Sequence, residues 1–372
     1  MKNKMLKLLC ICLAATLMLT AFAGCGEKAE DTSNAEETTV AADSTVSNED
    51  IIKKAAAAGK VGNWGLGNQY EVQALLQKYG QPTDYLTEDF TMDGIDSDEI
   101  WLASAMTYNE LGLIKNDYEG GYSYGNEIAV IDMNDEGVAM LEDNLFCTKE
   151  FAEKNPNTVK AFIAASMKGW KTACEDTDAA AEIVFKHGSS VSNDHQKFMA
   201  SEVKKLVETD MNGNTVTEIG KMDDTAMQQT LDLAKKYVQM DDSKAADALS
   251  KITLDDVRDS SYYDDSENAG TPEKTSVKIQ LKWLPQAQFM GYFVALEKGY
   301  YEEVGLDVEI VAGGGDVSET VAVQNGTVDF GVTWLTNLIS ANASGSSLLE
   351  VAQVYQRSGL VLCYKKSNEN LK

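Results

Sequence analysis

Residues 276–310, SVKIQLKWLPQAQFMGYFVALEKGYYEEVGLDVEI, decide the fold. At the start of this stretch Val277, Ile279, Leu281 and Trp283 fall on one face, the period of a half-buried strand. The period then changes: Phe293, Leu296 and Tyr300 recur at helical spacing, and Gly305 stops that helix. Downstream come a strand at 306–311, a glycine turn AGGGD at 312–316 and a helix through Val321. A strand at 328–334, a helix through Leu338 and strands at 348–355 and 359–364 complete the series. Strands alternating with helices predict an α/β fold whose sheet is mainly parallel and covered on both faces.

Residues 60–137 repeat the style. KVGNWG (60–65) reads as a short strand and turn, and Asn68 as the cap of a helix whose buried stripe is Val72, Leu75, Leu76 and Tyr79. IWLASAMTY (100–108) and EIAVID (127–132) are further apolar segments. After Gly137 the chain turns helical; Asn155 and Pro156 open a helix lined by Val159, Phe162, Ile163, Ser166 and Trp170. The polar stretch 263–275, with Gly270 and Pro272, reads as a linker.

Before all of this, Lys2, Lys4 and Lys7 precede an apolar run, Leu8 to Ala23, too short for a stable span and flanked like an export signal. LTAFAGC (19–25) resembles a bacterial lipobox with Phe22 in place of the usual Leu, which makes Cys25 the expected site of lipidation. Residues 25–56 are rich in Ala, Ser, Thr, Glu and Asp and are expected to form a disordered tether.

Composition excludes several classes. A formal charge of −27 leaves no basic stripe for nucleic acid or an anionic membrane surface. Beyond Cys25, the cysteines Cys147, Cys174 and Cys363 are odd in number and far apart, which fits neither a disulfide framework nor a zinc site. His187 and His195 are the only histidines, and both are expected to be solvated or to cap helices, so no metal centre is expected.

The 276–310 stretch resembles the opening of the solute-binding proteins related to thiamine-pyrimidine synthases, a group that includes nitrate, sulfonate and riboflavin binders. AMTYNEL (105–111) and GVAMLEDNLFCTKEF (137–151) resemble that family's second half, and ITLDDVRDSSYY (252–263) its C-terminal tail. The resemblance implies a type II periplasmic-binding-protein fold of two lobes in circularly permuted order. Residues 57–137 would form one lobe, with 138–262 and 276–372 forming the other on either side of the linker. Joining Lys372 to Gly59 restores the family order, near where the family chain crosses between lobes.

In such a fold the ligand sits at the carboxyl ends of strands, between the lobes. The candidates are Trp283, Gln286 and Gln288, beside Pro285, after the first strand, and Thr333, Trp334 and Asn337 before a helix. Tyr355 and Arg357 follow, the latter able to clamp an anion. From the other side come Gly67 and Asn68, with Gly65, at a helix N-terminus, and Tyr108, Asn109 and Glu110. Glu142, with Asp143 and Asn144, stands at the return crossing, where a carboxylate pairs with an aminopyrimidine or holds the hinge.

The function the resemblance implies is that of a lipid-anchored extracytoplasmic binding protein. Its partners would be the permease and ATPase of an ABC importer, and its ligand a thiamine pyrimidine precursor, a flavin-like molecule or a small oxyanion. The alternative is a thiamine pyrimidine synthase-like enzyme. The resemblance implies that such enzymes use a lysine holding pyridoxal phosphate, a nearby histidine consumed as substrate and a cysteine-rich iron-binding run. Thr333 and Asn337 stand where the lysine and histidine would fall, and only Cys147 remains of the run. The expectation from sequence is therefore a chain without catalysis and without a cofactor.

Overall fold

The structure, a computed structural model, describes residues 46–189 and 191–372; Cys25 and the expected export signal lie outside the described residues. Ten strands form. They are β1 (Gly62–Asn63), β2 (Leu86–Thr87), β3 (Ala103–Met106), β4 (Ile128–Asp132) and β5 (Asn144–Thr148), then β6 (Ser276–Gln280), β7 (Asp307–Val311), β8 (Phe330–Thr333), β9 (Leu348–Gln353) and β10 (Leu360–Lys365). One sheet has five strands in the order β7–β6–β8–β5–β9; another has β3–β10–β4, and β1 pairs with β2. A single parallel bridge, Val61 to Leu102, carries the β1–β2 pair to the edge of β3.

Each sheet accepts one strand from the other part of the chain. β5 runs antiparallel between β8 and β9, with Asn144 opposite both Thr333 and Gln353. β10 runs antiparallel between β3 and β4, Leu360 opposite Met106 and Val361 opposite Asp132. Only the β6–β7, β6–β8 and β1–β2 pairs are parallel. The five-stranded sheet is therefore mixed and the pairs of β3–β10–β4 are antiparallel, where the strand–helix alternation predicts a mainly parallel sheet; alternation along the chain does not register an antiparallel strand inserted from a distant segment. The fold is α/β, with helices flanking these sheets, an architecture consistent with that of periplasmic binding proteins.

Several local expectations change for identifiable reasons. The helix expected from Gly291 onward breaks in two, Met290–Glu297 and Tyr300–Glu303, because Gly299 sits at φ 73°, the left-handed region that glycine enters without strain. Of the expected tether 25–56, residues 25–45 lie outside the described residues; its described end is helical from Asn48 to Ala57, capped by Ser47 and burying Ile51, Ile52 and Ala55. The stretch 263–275 is held in place: the Glu273 carboxylate accepts hydrogen bonds from the Asn157 and Thr158 amides (3.2 and 3.0 Å) at the start of the helix Pro156–Glu175. The 276–372 segment also contributes β10 to the smaller sheet, so its strands serve both sheets.

The chain runs between the sheets twice, through 133–143 (β4 to β5) and 354–359 (β9 to β10). Both connections are continuous. The junction between 372 and 59 lies beside β10 and β1, on the smaller sheet's side, with Lys54 Nζ donating to the Leu371 carbonyl (3.4 Å).

The two parts of the chain also pack tightly at Gly169 and Gly291. A Cβ on Gly169 would lie 2.2 Å from the Gly291 carbonyl oxygen, and one on Gly291 2.2 Å from the Trp170 ring. Backbone cannot give way as a flexible side chain can, so Gly169→Val is expected to lower unfolding stability by at least about 1–3 kcal/mol. Urea denaturation checks this; a midpoint unchanged from the parent would show that the two helices are free to separate.

Candidate functional site

β6, β8 and β9 all end at one edge of the large sheet, and β5 begins there. Loops from that edge face loops from the smaller sheet across a cleft lined by Trp64, Leu66, Asn68, Phe90, Met106, Tyr108, Asn109, Glu110, Lys282, Trp283, Gln286, Gln288 and Trp334. The cavity is small, about 80 Å³, against the several hundred Å³ of pockets for drug-sized ligands.

Its floor is organised by Asp143, a residue at positive φ (36°) immediately before β5. The Trp334 indole N–H donates to Asp143 Oδ1 (3.0 Å), and Gln288 Nε2 donates to both carboxylate oxygens (3.1 and 2.9 Å). Gln286 Nε2 in turn donates to Gln288 Oε1 (2.7 Å), and the Tyr355 hydroxyl donates to the Gln288 carbonyl (3.0 Å) from behind. Lys282 stands 4.4 Å from the Trp334 ring centre and pairs with Glu319 (3.1 Å). Burial pushes Asp143 up to about 7, while the Gln288 hydrogen bonds, the Lys282 charge and Trp334 oppose the rise.

On the facing side, Asn68 and Asn109 each precede a helix, Gln69–Lys78 and Glu110–Lys115, yet neither side chain caps it. Asn109 Nδ2 donates to Glu110 Oε1 (2.7 Å), whose other oxygen accepts from the Met106 amide (2.9 Å). Burial raises Glu110 to about 7. At the mouth, Phe90 meets Trp283 with ring centres 4.8 Å apart, and Asn337 Nδ2 donates to the Leu66 carbonyl (3.2 Å). Gly67 permits that approach: its φ is 116°, and a Cβ there would stand 2.3 Å from Asn337 Oδ1.

The structure thus brings together Asn68, Tyr108, Asn109, Glu110, Trp283, Gln286, Gln288 and Trp334 around one cavity. It places the other sequence candidates elsewhere. Arg357 is not an anion clamp in the cleft, because its guanidinium is engaged by Asp132 (3.1 Å). Thr333 is buried and donates to Glu319. Gly67 and Asn337 form the rim contact, and Tyr355 backs the floor. Glu142 holds the crossing, accepting from the Gly359 amide (3.0 Å) and Ser358 Oγ (3.2 Å); the carboxylate that Gln288 and Trp334 hold behind the cleft floor is its neighbour Asp143. Asp143 takes a positive φ of 36° just before β5, a local turn that the sequence does not announce, so sequence could name the pair but not choose between its members.

Trp64, Leu66, Phe90, Met106 and Lys282 were missed. For Lys282 the strand alternation assigned an outward face, but β6 ends at Gln280 and the loop turns it inward. His187 sits at the C-cap of the helix Thr177–Lys186, as its helical context suggested. His195 is instead buried and stacked on Tyr118 (4.8 Å), and desolvation lowers its pKa to about 4, so it is neutral at pH 7. The three described cysteines are buried and unpaired. Among the described residues no group of three or more His, Cys, Asp or Glu side chains is placed to hold a metal. No described helix is long and apolar enough to cross a membrane.

Burial dominates the carboxyl groups here: Glu71 and Glu350 are raised to about 8, alongside Glu110 and Asp143 at about 7. A carboxyl whose folded pKa exceeds its unfolded value stabilises fully below the unfolded value, near 4, and loses that contribution as pH rises through the folded value. The melting temperature is therefore expected to fall between pH 5 and pH 8.5, and to fall less in Glu350→Gln. Scanning calorimetry across this range decides it, and a flat or rising profile is the opposing result.

The chain matches the NMT1/THI5 like family over residues 40–180 and 286–372, more than half its length. It is 29% identical over 79 residues to the formylaminopyrimidine-binding protein of Halalkalibacterium halodurans, covering 21% of this chain and 24% of that protein. It is 28% identical over 92 residues to two 4-amino-5-hydroxymethyl-2-methylpyrimidine phosphate synthases of Saccharomyces cerevisiae, THI11 and THI13, covering 25% of this chain and 27% of each synthase. Each match spans about a quarter of the relative's length. The synthases resemble the chain as closely as the binding protein does, which overturns the expectation, drawn from Thr333 and Asn337, of a chain without catalysis. The matched segments together include every described strand but β6, and the chain belongs to the NMT1/THI5 like family, whose members include small-molecule binders and biosynthetic enzymes.

Proposed function

We propose that the cleft between the two sheets captures a small, flat aminopyrimidine, and that the chain is the extracytoplasmic binding protein of an ABC importer, anchored through a lipid on Cys25. The observation that carries the ligand class is the cleft itself. Aromatic walls from Trp283, Trp334 and Phe90 enclose a chain of amides ending on a buried carboxylate. Aromatic faces suit a planar ring, and the amides suit the nitrogens at its edge. The small volume favours a single ring over the three fused rings of a flavin, and the absence of a free arginine on the floor disfavours a small oxyanion. The formylaminopyrimidine-binding protein among its relatives is named for a ligand of the same class.

In this reading the two sheets are the cores of two lobes in circularly permuted order, and 133–143 and 354–359 are the hinge between them. Ligand touching both sides stabilises the closed form, and that form docks on the permease. The synthase relatives favour a second reading, in which the same cleft acts chemically on a pyrimidine.

A thermal-shift and native mass spectrometry screen of the full chain against aminopyrimidines, flavins, sulfonates and nitrate separates these outcomes. One aminopyrimidine per chain, with a raised melting temperature, is the expected result. Trp283→Ala should weaken that binding by about 1–3 kcal/mol, the scale of ring stacking on an aromatic side chain. Binding restricted to sulfonate or nitrate would refute the ligand class, and release of a new pyrimidine would establish the second reading. For the anchor, Cys25→Ala is expected to move the protein from the membrane fraction to the soluble fraction of expressing cells; unchanged fractionation would remove Cys25 from the account.

A further inference from the structure

Asn68 is 3% exposed, lines the cleft, and has neither its amide nitrogen nor its oxygen hydrogen-bonded. It stands at the N-cap of a ten-residue helix, where an asparagine side chain ordinarily accepts from the first turn, and it does not. Its backbone, at φ −87° and ψ −10°, is already helical, whereas capping side chains usually belong to extended residues. Asn109 repeats the pattern: it precedes a helix without capping it, and its Oδ1 is buried without a partner. The bond from Asn109 Nδ2 to Glu110 fixes the amide orientation and leaves Oδ1 as an acceptor. Leaving such groups unpaired in the interior costs about 1–3 kcal/mol each. Three unsatisfied groups on one wall of one cavity therefore describe what should fill it.

Their sum is one donating NH2 group and two acceptor oxygens. A ring nitrogen beside an exocyclic amine answers all three: the ring nitrogen accepts from Asn68 Nδ2, and the two amine hydrogens go to Asn68 Oδ1 and Asn109 Oδ1. The carbonyl and single ring N–H of a lactam edge would leave Asn109 unsatisfied. Resting on the aminopyrimidine reading above, we propose that Asn68, with Asn109 beside it, is the specificity determinant of the cleft, recognising the amidine edge of the heterocycle. The carboxylate of Asp143, already receiving Gln288 and Trp334, organises the floor instead.

Calorimetric titration of the full chain with 4-amino-2-methylpyrimidine and with 2-methylpyrimidine, which lacks the amine, tests this. The parent chain should prefer the amino compound by roughly tenfold or more, because the other leaves buried acceptors unpaired. In Asn68→Leu the preference should fall severalfold, to what the Asn109 Oδ1 contact alone supports. In Asn68→Asp, which keeps shape and an acceptor but loses the donor, both compounds should weaken while the preference survives; this variant carries the test if the leucine variant does not fold. A merely structural asparagine would weaken both compounds equally in Asn68→Leu and leave their ratio intact, which would overturn the assignment. Retention of water alone in the cavity, with neither compound bound by the parent chain, would overturn it together with the ligand class.

Discussion

Reciprocal strand exchange is the constraint on which the rest of this molecule depends. β5, from the first part of the chain, fills the gap between β8 and β9; β10, from the second, fills the gap between β3 and β4. Each inserted strand is antiparallel to both neighbours, so neither sheet can complete its backbone hydrogen bonds without the other part of the chain. The two parts are thereby one folding problem. The tight contact of Gly169 with Gly291 is the same dependence expressed in helix packing.

The exchange also sets where the site forms. A strand entering a sheet from elsewhere must arrive across the gap between sheets, and both connections, 133–143 and 354–359, do so at the edge where the parallel strands end. Glu71, Glu142 and Ser358 meet at these connections with no cation beside the carboxylates, the bonds coming from the Met140 and Gly359 amides and from Ser358 Oγ. Burial and the neighbouring Glu71 charge both drive Glu142 upward, which disfavours two carboxylate charges at the crossing. A strongly acidic chain thus places several carboxyl groups inside, and keeps them there by hydrogen bonding and protonation more than by ion pairing.

The cleft joins two different kinds of polar surface. On the floor, Asp143, Gln286, Gln288 and Trp334 satisfy one another, so that surface is preorganised. On the opposite wall, the Asn68 amide and Asn109 Oδ1 stay unsatisfied at the starts of helices. Rigid floor and unpaired wall are separable properties, one fixing shape and the other demanding a complement. Family membership spanning binders and synthases is compatible with either use of such a cavity.

By itself the sequence determined the local periodicities: the strand at Val277–Leu281, the helix stripe at Val72–Leu76, the proline-started helix at 156, and the turns that need glycine. These are readable because they depend on neighbours within a few residues. The gathering of Trp283, Gln286, Gln288 and Trp334 with Asn68 and Asn109 was legible as a list of candidates, from their places after strands and before helices. Only the tertiary structure decided that β5 and β10 exchange sheets, since antiparallel insertion leaves no mark on the alternation of the inserted strand. It alone chose Asp143 over Glu142 for the floor, turned Lys282 inward, and engaged Arg357 with Asp132. It alone left Asn68 uncapped, because a side chain's partner is set by what the rest of the chain brings near it.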